Sequence, residues 1–215
     1  MKLHKTSAAI ALVLASSAWS QVAMAEVSAN VGVVSEYHFR GIQQTDSASA
    51  SAGLDYENGG FYIGTWTADV KDGLEIDVYA GYGFDLTEDF SASVGVTTYQ
   101  YTGDFDSAYN EVNLGLGWGP VSLEYTVGTQ DDDAGLGITE TDYTFLAITL
   151  EHENFYGTFG TFGDEVDGDY FEFGWGTEIG GFDAGVSLIF ADSDLGAGGD
   201  SDETLYFSLS KSFAL

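Results

Sequence analysis

Charged side chains, most of them carboxylates, fall on one parity of several otherwise apolar segments of this chain, and they are its most chemically active groups. Glu75 and Asp77 alternate with apolar residues, and Glu36, His38 and Arg40 occupy three successive alternate positions. Alternate residues of an extended strand share one face, so each set would present its side chains together. Such a face could attract cations, and the imidazole of His38 could in principle act as a base.

Apolar and polar residues alternate in about a dozen segments after residue 25, and this period of two predicts β-strands. In residues 27–40, for example, Val27, Val31 and Val33 share one parity, while the charged residues take the other. A transmembrane helix needs about 20 apolar residues in a row. No later segment has such a run. Any crossing of a membrane is therefore expected to use the strands of a closed barrel.

Residues 1–25 have the three parts of a secretory signal peptide. Lys2, His4 and Lys5 make a basic start, residues 8–18 are apolar, and residues 23–25 read Ala-Met-Ala, an A-x-A cleavage site. We expect cleavage after residue 25 and export of residues 26–215 as one barrel domain.

The predicted mature chain is strongly acidic. It keeps three basic residues, Arg40, Lys71 and Lys211, against 35 acidic ones, a net charge of −32. Nucleic acids and anionic substrates are poor partners for such a surface. Two explanations of the acidity are open: it keeps an exported protein soluble, or it selects ions. Cysteine is absent, which excludes disulfides, thiolate metal sites and a cysteine nucleophile.

The alternation predicts twelve strands, and the connections between them alternate in length. The strands are expected at 27–40, 47–56, 61–70, 74–85, 90–102, 107–118, 121–129, 141–152, 155–162, 170–179, 182–191 and 204–213. Short connections such as 119–120 and 153–154 alternate with longer ones such as 130–140 and 192–203. Short periplasmic turns and long extracellular loops are typical of an antiparallel transmembrane β-barrel.

Charge placement predicts which face of each strand lines the lumen. A charge on the lipid face costs up to about 2 to 4 kcal/mol at the midplane, so charged side chains are expected inside. The lumen-facing candidates are Glu36, His38, Arg40, Asp55, Asp69, Glu75, Asp77, Glu111, Glu124, Glu172 and Asp183. Aromatic residues near strand ends predict two interfacial girdles. The inner one holds Tyr56, Phe84, Phe90, Trp118, Phe182 and Phe213, and the outer one Tyr37, Phe39, Phe171 and Phe190.

Several stretches of the chain resemble one known family. They are SEYHFRGIQQ at 35–44, GLDY at 53–56, GFYIGTW at 60–66, EIDVYAGY at 75–82 and YQY at 99–101. These segments are similar to those of TorF-type porins of Gram-negative bacteria, and the resemblance runs through most of the mature chain. It implies an outer-membrane barrel that lets small solutes diffuse, and it implies no particular solute.

The end of the chain resembles the carboxyl-terminal signal read by the machinery that assembles outer-membrane proteins. Leu205, Phe207, Leu209, Phe213 and Leu215 share one parity. Lys211 interrupts this parity and the last residue is not aromatic, so either Phe213 is the effective end or Phe213 and Leu215 form a weak variant. The expected partners are outer-membrane lipids and lipopolysaccharide, this machinery and small solutes.

The sequence is compatible with three functions. A passive porin for small hydrophilic solutes, with a preference for cations, is the first. Inward Tyr and Trp that fill the lumen would instead favour a non-conducting structural or adhesin-like barrel. An enzyme is third, because no Ser-His-Asp set can be assembled around His38 or His152. Acidic runs such as 131–133 lack the spacing of a calcium loop, so neither a metal site nor a cofactor is predicted.

The loop lengths predict which connections lie outside the cell. Residues 131–133 and 192–202 are expected outside, and residues 153–154 in the periplasm. Asp132→Cys and Gly198→Cys should therefore react with an impermeant maleimide on intact cells, whereas Asn154→Cys should not. Labelling of Asn154→Cys alone would reverse the orientation.

Overall fold

Twelve strands form one closed antiparallel barrel in the part of the chain that the computed structural model describes, residues 26–196 and 201–215. The predicted signal peptide and residues 197–200 lie outside these ranges. The barrel strands are β1 (Glu26–Val34), β4 (Ser49–Asn58), β5 (Phe61–Asp69), β6 (Leu74–Asp85), β7 (Phe90–Tyr101), β8 (Tyr109–Trp118), β9 (Val121–Gln130), β10 (Thr141–His152), β11 (Phe155–Asp164), β12 (Asp169–Ile179), β13 (Phe182–Ala191) and β14 (Asp202–Ala214). Two further short strands, β2 (His38–Phe39) and β3 (Ile42–Gln43), pair only with each other. No helix in the described ranges is long and apolar enough to cross a membrane.

The barrel closes because β1 pairs on both of its edges. Ser28 lies opposite Ala214 of β14 on one side and opposite Asp55 of β4 on the other. Every other barrel strand pairs with its neighbours in sequence. The ring of backbone hydrogen bonds therefore has no free edge, as a sheet in lipid requires. The predicted antiparallel transmembrane barrel of twelve strands is confirmed.

The two ends of the barrel differ in the length of their connections. At one end, here called the turn end, the strands are joined by two to four residues, and both termini of the barrel lie there. At the other end, here called the loop end, the connections have four to fourteen residues. The longest of these, residues 35–48, joins β1 to β4 and contains β2 and β3.

The outer wall is apolar. Large hydrophobic side chains such as Val94, Leu116 and Phe173 are about half exposed on the outward parity, as expected of a surface that faces lipid. Phe90 and Trp118 stack at the turn end with ring centroids 5.7 Å apart, and Phe171 and Phe190 are exposed towards the loop end.

Two residues of the predicted outer girdle lie elsewhere, because the first strand is shorter than predicted. It ends at Val34 rather than at residue 40, and the segment that follows folds into the barrel. Tyr37 is buried and Phe39 packs on Tyr99, an inward residue of β7. The alternation of residues 35–40 is real, but its apolar members pack against inward rings and not against lipid.

Neighbouring residues of β7 test the assignment of the two faces. Val94 is exposed on the outward parity and Ser93 lies on the inward one. Val94→Lys should destabilise the barrel in bilayers by about 2 to 4 kcal/mol, because its ammonium meets lipid, while Ser93→Lys should be tolerated. Urea unfolding in liposomes measures the difference, and equal losses for the two variants would mean that the faces are misassigned.

Candidate functional site in the barrel lumen

The segment between β1 and β4 enters the lumen from the loop end as a β-hairpin. Strands β2 and β3 are joined by Arg40 and Gly41, whose φ angles are +49° and +83°. A two-residue turn with both φ angles positive suits hairpins, and glycine adopts it without strain. A side chain at position 41 would also collide with the ring of Tyr170 on β12. The tip of the hairpin is therefore fitted closely to the opposite wall.

Arg40 at this tip binds two carboxylates. Its Nη1 lies 2.5 Å from Glu111 Oε1, and its Nη2 lies 2.8 Å from Glu124 Oε1. Nη2 also donates to Thr126 Oγ1 at 3.2 Å. Glu124 and Thr126 lie in the middle of β9, so the hairpin reaches about halfway through the barrel.

Aromatic rings enclose the Arg40 guanidinium. Its Cζ lies 4.8 Å from the ring centroid of Phe39 and 4.4 Å from that of Phe145. The side chain of Arg40 is 8% exposed and that of Glu111 is fully buried. Loss of one partner from a buried ion pair of this kind costs about 3 to 5 kcal/mol, because the other charge is left uncompensated.

Tyrosine hydroxyls donate hydrogen bonds to most of the buried carboxylates of the lumen, including Glu111. Glu111 accepts from Tyr99 and Tyr143 at 2.9 and 2.6 Å in addition to its bonds with Arg40. Glu75 accepts from Tyr37 of the hairpin segment at 2.6 Å and from Tyr101 at 3.0 Å. The same arrangement joins Tyr156 and Tyr206 to Glu172, and Tyr79 to Asp55.

His38 belongs to the hairpin and packs against the wall. Its ring stacks on Tyr206 with centroids 5.7 Å apart, and its Nε2 lies 3.7 Å from Glu36 Oε2. Burial lowers the pKa of His38, although Asp202 and Glu36 act in the opposite direction. Both ring nitrogens lack a hydrogen-bond partner in the described structure, so no Ser-His-Asp set forms around this residue.

The two halves of the lumen differ in how they are filled. In the loop half, the inward residues Asp77, Thr126, Phe145 and Ile189 are at most 2% exposed, which means that side chains close the lumen at this level. In the turn half, small inward residues of β7, β8 and β9 keep partial exposure. They include Ser91, Ser93, Gly115, Gly117 and Ser122. The inward side chains of these strands are therefore more accessible towards the turn end, and those of the loop half are closely packed.

All but one of the predicted lumen residues lie inside the barrel, in two groups. Asp55, Glu75, Asp77, Glu111, Glu124, Glu172 and Asp183 lie on the inward parity of the wall. Glu36, His38 and Arg40 lie inside the barrel too, but on the hairpin segment and not on a wall strand.

Asp69 is the exception, and its inward prediction was wrong. It shares the parity of Phe61 and Ile63 and is exposed at the last position of β5. Since this is the loop end of the strand, its carboxylate can reach water beyond the lipid.

Sequence reasoning missed the tyrosines that bond the inward carboxylates. Their signal was available, since Tyr99 and Tyr101 share the inward parity of β7 and Tyr143 shares that of β10. No group of three or more His, Asp or Glu side chains in residues 26–196 and 201–215 is arranged to hold a metal ion.

The residues of the predicted assembly signal lie on the outside of the turn end. Phe213 is opposite Ala29 of β1 and is 43% exposed, and Leu215 is 76% exposed. Lys211, which interrupts the apolar parity, places its ammonium 4.8 Å from the ring centroid of Phe182. It lies near the membrane surface, where a lysine can extend its charge to the lipid headgroups.

Solved structures with the same fold are transmembrane barrels. A membrane protein from work on in-meso crystallization aligns with a TM-score of 0.61 at 10% identity, over 88% of this chain and 84% of its own. The NanC porin aligns with a TM-score of 0.55 at 11% identity, over 88% of this chain and 100% of its own. At such identities the likeness shows the fold alone. No curated protein is significantly similar to the chain in sequence.

One family profile matches most of the chain. It covers residues 19–213 and is described as "Bacterial protein of unknown function (Gcw_chp)". The resemblance to TorF-type porins is thus supported in its barrel fold but not in its family name. The chain belongs to the Gcw_chp family of bacterial proteins.

Proposed function

We propose that this protein is an outer-membrane channel for small hydrophilic solutes, with a preference for cations, which the β2–β3 hairpin holds closed in the present conformation. The observation that carries the proposal is the insertion of one hairpin into an otherwise polar and acidic lumen. A barrel that served only as a membrane anchor would have no need for partly exposed small polar residues on its inward face.

The hairpin is attached in a way that permits it to leave. Strands β2 and β3 form a separate two-stranded sheet and share no ladder with the wall in the described structure. Side chains hold it instead, chiefly Arg40 on Glu111 and Glu124, and Tyr37 on Glu75. Withdrawal of the hairpin would therefore leave the backbone hydrogen bonds of the barrel intact.

The apolar outer wall and the predicted signal peptide support residence in the outer membrane of a Gram-negative cell. The sequence resemblance to TorF-type porins agrees with this location. Lipids and lipopolysaccharide would then surround the wall. We assign Phe213 and Leu215 to recognition by the assembly machinery, and we assign no catalytic role to the barrel.

The preference for cations follows from the balance of inward charge. Arg40 is the inward basic residue of the described chain, and two carboxylates compensate it. Lys71 is exposed in the β5–β6 connection, and Lys211 lies on the outer face. A passage with carboxylates in excess concentrates cations and repels anions.

A second candidate is a non-conducting structural or binding barrel. The closed loop half favours it, because Phe145, Ile189 and other inward side chains leave no water-filled path at that level. The two functions differ in whether the hairpin ever leaves the lumen, which electrical recording can decide.

Selectivity gives the first test. In a KCl gradient across a planar bilayer, the reversal potential should report potassium over chloride, and the bias should shrink as salt shortens the Debye length from roughly 30 Å at 0.01 M to 3 Å at 1 M. Glu178→Gln with Asp183→Asn, which neutralises an inward pair of the turn half, should weaken the bias. Asp131→Asn with Asp132→Asn removes as much charge from a loop and should not. Anion selectivity would contradict the electrostatic argument.

The hairpin gives the second test. Arg40→Gln with Glu111→Gln removes the buried ion pair, so that only Glu124, whose side chain is 18% exposed, loses its cation. This double variant should raise the open probability at least tenfold in single-channel recording. Lys71→Gln, which changes an exposed basic residue at the loop end, is the matched control and should behave as the parent. If neither the parent nor the double variant conducts, the barrel is non-conducting and the second candidate replaces the first.

A further inference from the structure

We propose that Asp77 is the centre of a binding site for a primary alkylammonium group inside the lumen. This inference deepens the proposed function and rests on it in one respect, because the hairpin must move to admit the ligand. It is carried by a single buried carboxylate that the fold surrounds with aromatic rings and leaves without a partner.

Asp77 is 1% exposed, and its Oδ1 is buried with no hydrogen-bond partner in the described structure. The hydrogen bond that does reach this residue, from Thr65, goes to its backbone carbonyl. An isolated buried carboxylate is strongly unfavourable unless a proton or a cation compensates it. The fold itself supplies no cation there, because Arg40 binds Glu111 and Glu124.

The other buried carboxylates at this level are already satisfied. Glu75, two residues away on the same face of β6, accepts from Tyr37 with one oxygen and from Tyr101 with the other. Both oxygens of Glu111 are also bonded, to Arg40, Tyr99 and Tyr143. Asp77 thus differs from its neighbours, whose carboxylate oxygens have hydrogen-bond donors.

Aromatic side chains stand on both sides of Asp77. Trp66 of β5 and Tyr99 of β7 are its direct cross-strand neighbours, and such neighbours have Cβ atoms about 4.5 to 5.5 Å apart. The hairpin covers the site from the lumen. Tyr37 packs on Trp66 with centroids 5.7 Å apart, and Phe39 packs on Tyr99 with centroids 5.5 Å apart.

This composition selects a class of ligand. A primary ammonium can donate N–H bonds to the free carboxylate oxygen while its charge lies against the faces of the rings. A bare metal ion needs several oxygen ligands, and the oxygens of Glu75 are occupied. The site therefore favours the head group of an aliphatic amine over an inorganic cation.

Trp66 provides a local reporter of binding. Trp118 and Trp175 lie on the outward face, so Trp118→Phe with Trp175→Phe leaves Trp66 as the tryptophan of the described chain. The mature protein with these two changes, folded in detergent micelles, is titrated with methylammonium chloride. The emission of Trp66 should change saturably, and potassium chloride at the same concentrations should give an apparent affinity at least tenfold weaker.

Asp77→Asn in this background should weaken the methylammonium affinity at least tenfold. The change keeps the shape of the side chain and removes an uncompensated charge, and heat-modifiable gel mobility checks that the variant is folded. Asp85→Asn is the matched control, since Asp85 shares the strand and the inward parity of Asp77 but is exposed.

Three results would overturn the inference: no saturable response of the parent, an equal response to potassium, or an unchanged affinity of Asp77→Asn. The first is expected if Asp77 is simply a neutral acid. The titration needs no current across a membrane, so binding by a barrel that does not conduct refutes the channel and keeps the site. A barrel that conducts but does not bind methylammonium refutes the site and keeps the channel.

Discussion

Exclusion of charge from lipid is the constraint on which the rest of this structure depends. The chain has 35 acidic residues, and an apolar outer wall leaves the membrane-crossing ones nowhere to go except the lumen. A barrel of twelve strands is narrow, so carboxylates on its wall come close to one another and to anything that enters. Many contacts inside the lumen therefore compensate these carboxylates with groups that donate hydrogen bonds or positive charge.

Tyrosine is the main source of that compensation. A phenol donates a hydrogen bond to a carboxylate without adding a positive charge, so the lumen keeps its acidic character while its buried oxygens are satisfied. The rings lie along the wall, since several cover inward glycines of neighbouring strands. Tyr79 lies over Gly64, Tyr143 over Gly128 and Tyr156 over Gly174, at positions where any Cβ atom would collide with the ring. These inward glycines are thus explained by the tyrosine beside each of them.

The sequence predicted the wall well and the contents of the lumen poorly, for a physical reason. Every second residue of a wall strand faces lipid and is generally apolar, so the alternation repeats along each strand. For this reason the twelve strands could be counted and most charged residues could be assigned to the inside. The prediction of a wall strand failed where the alternation had a different cause. Residues 35–40 alternate because Tyr37 and Phe39 pack on inward rings, and only the Arg40-Gly41 turn distinguishes this hairpin from a longer strand.

Asp69 failed for a related reason, because the lipid constraint ends where the strand leaves the membrane. The hydrogen-bond and ion-pair partners of the inward carboxylates could not be predicted from the sequence for another reason. Parity places Tyr99 and Glu111 on the same wall, but Arg40 meets Glu124 across 84 residues of sequence through a segment whose path no local pattern encodes.

In the proposed channel, the hairpin is anchored by one arginine between two glutamates and must still be able to leave. While the hairpin is in place, loss of a single partner is costly because a buried charge remains. Withdrawal of the whole hairpin is different, since Arg40 returns to water and solvent follows into the space beside Glu111 and Glu124, so much of the lost attraction is recovered as hydration. The contribution of the ion pairs to holding the hairpin is therefore smaller than the cost of mutating one of their partners. In the proposed channel, an ion pair at the tip, together with a backbone that shares no ladder with the wall, would let the hairpin close the lumen firmly without closing it permanently.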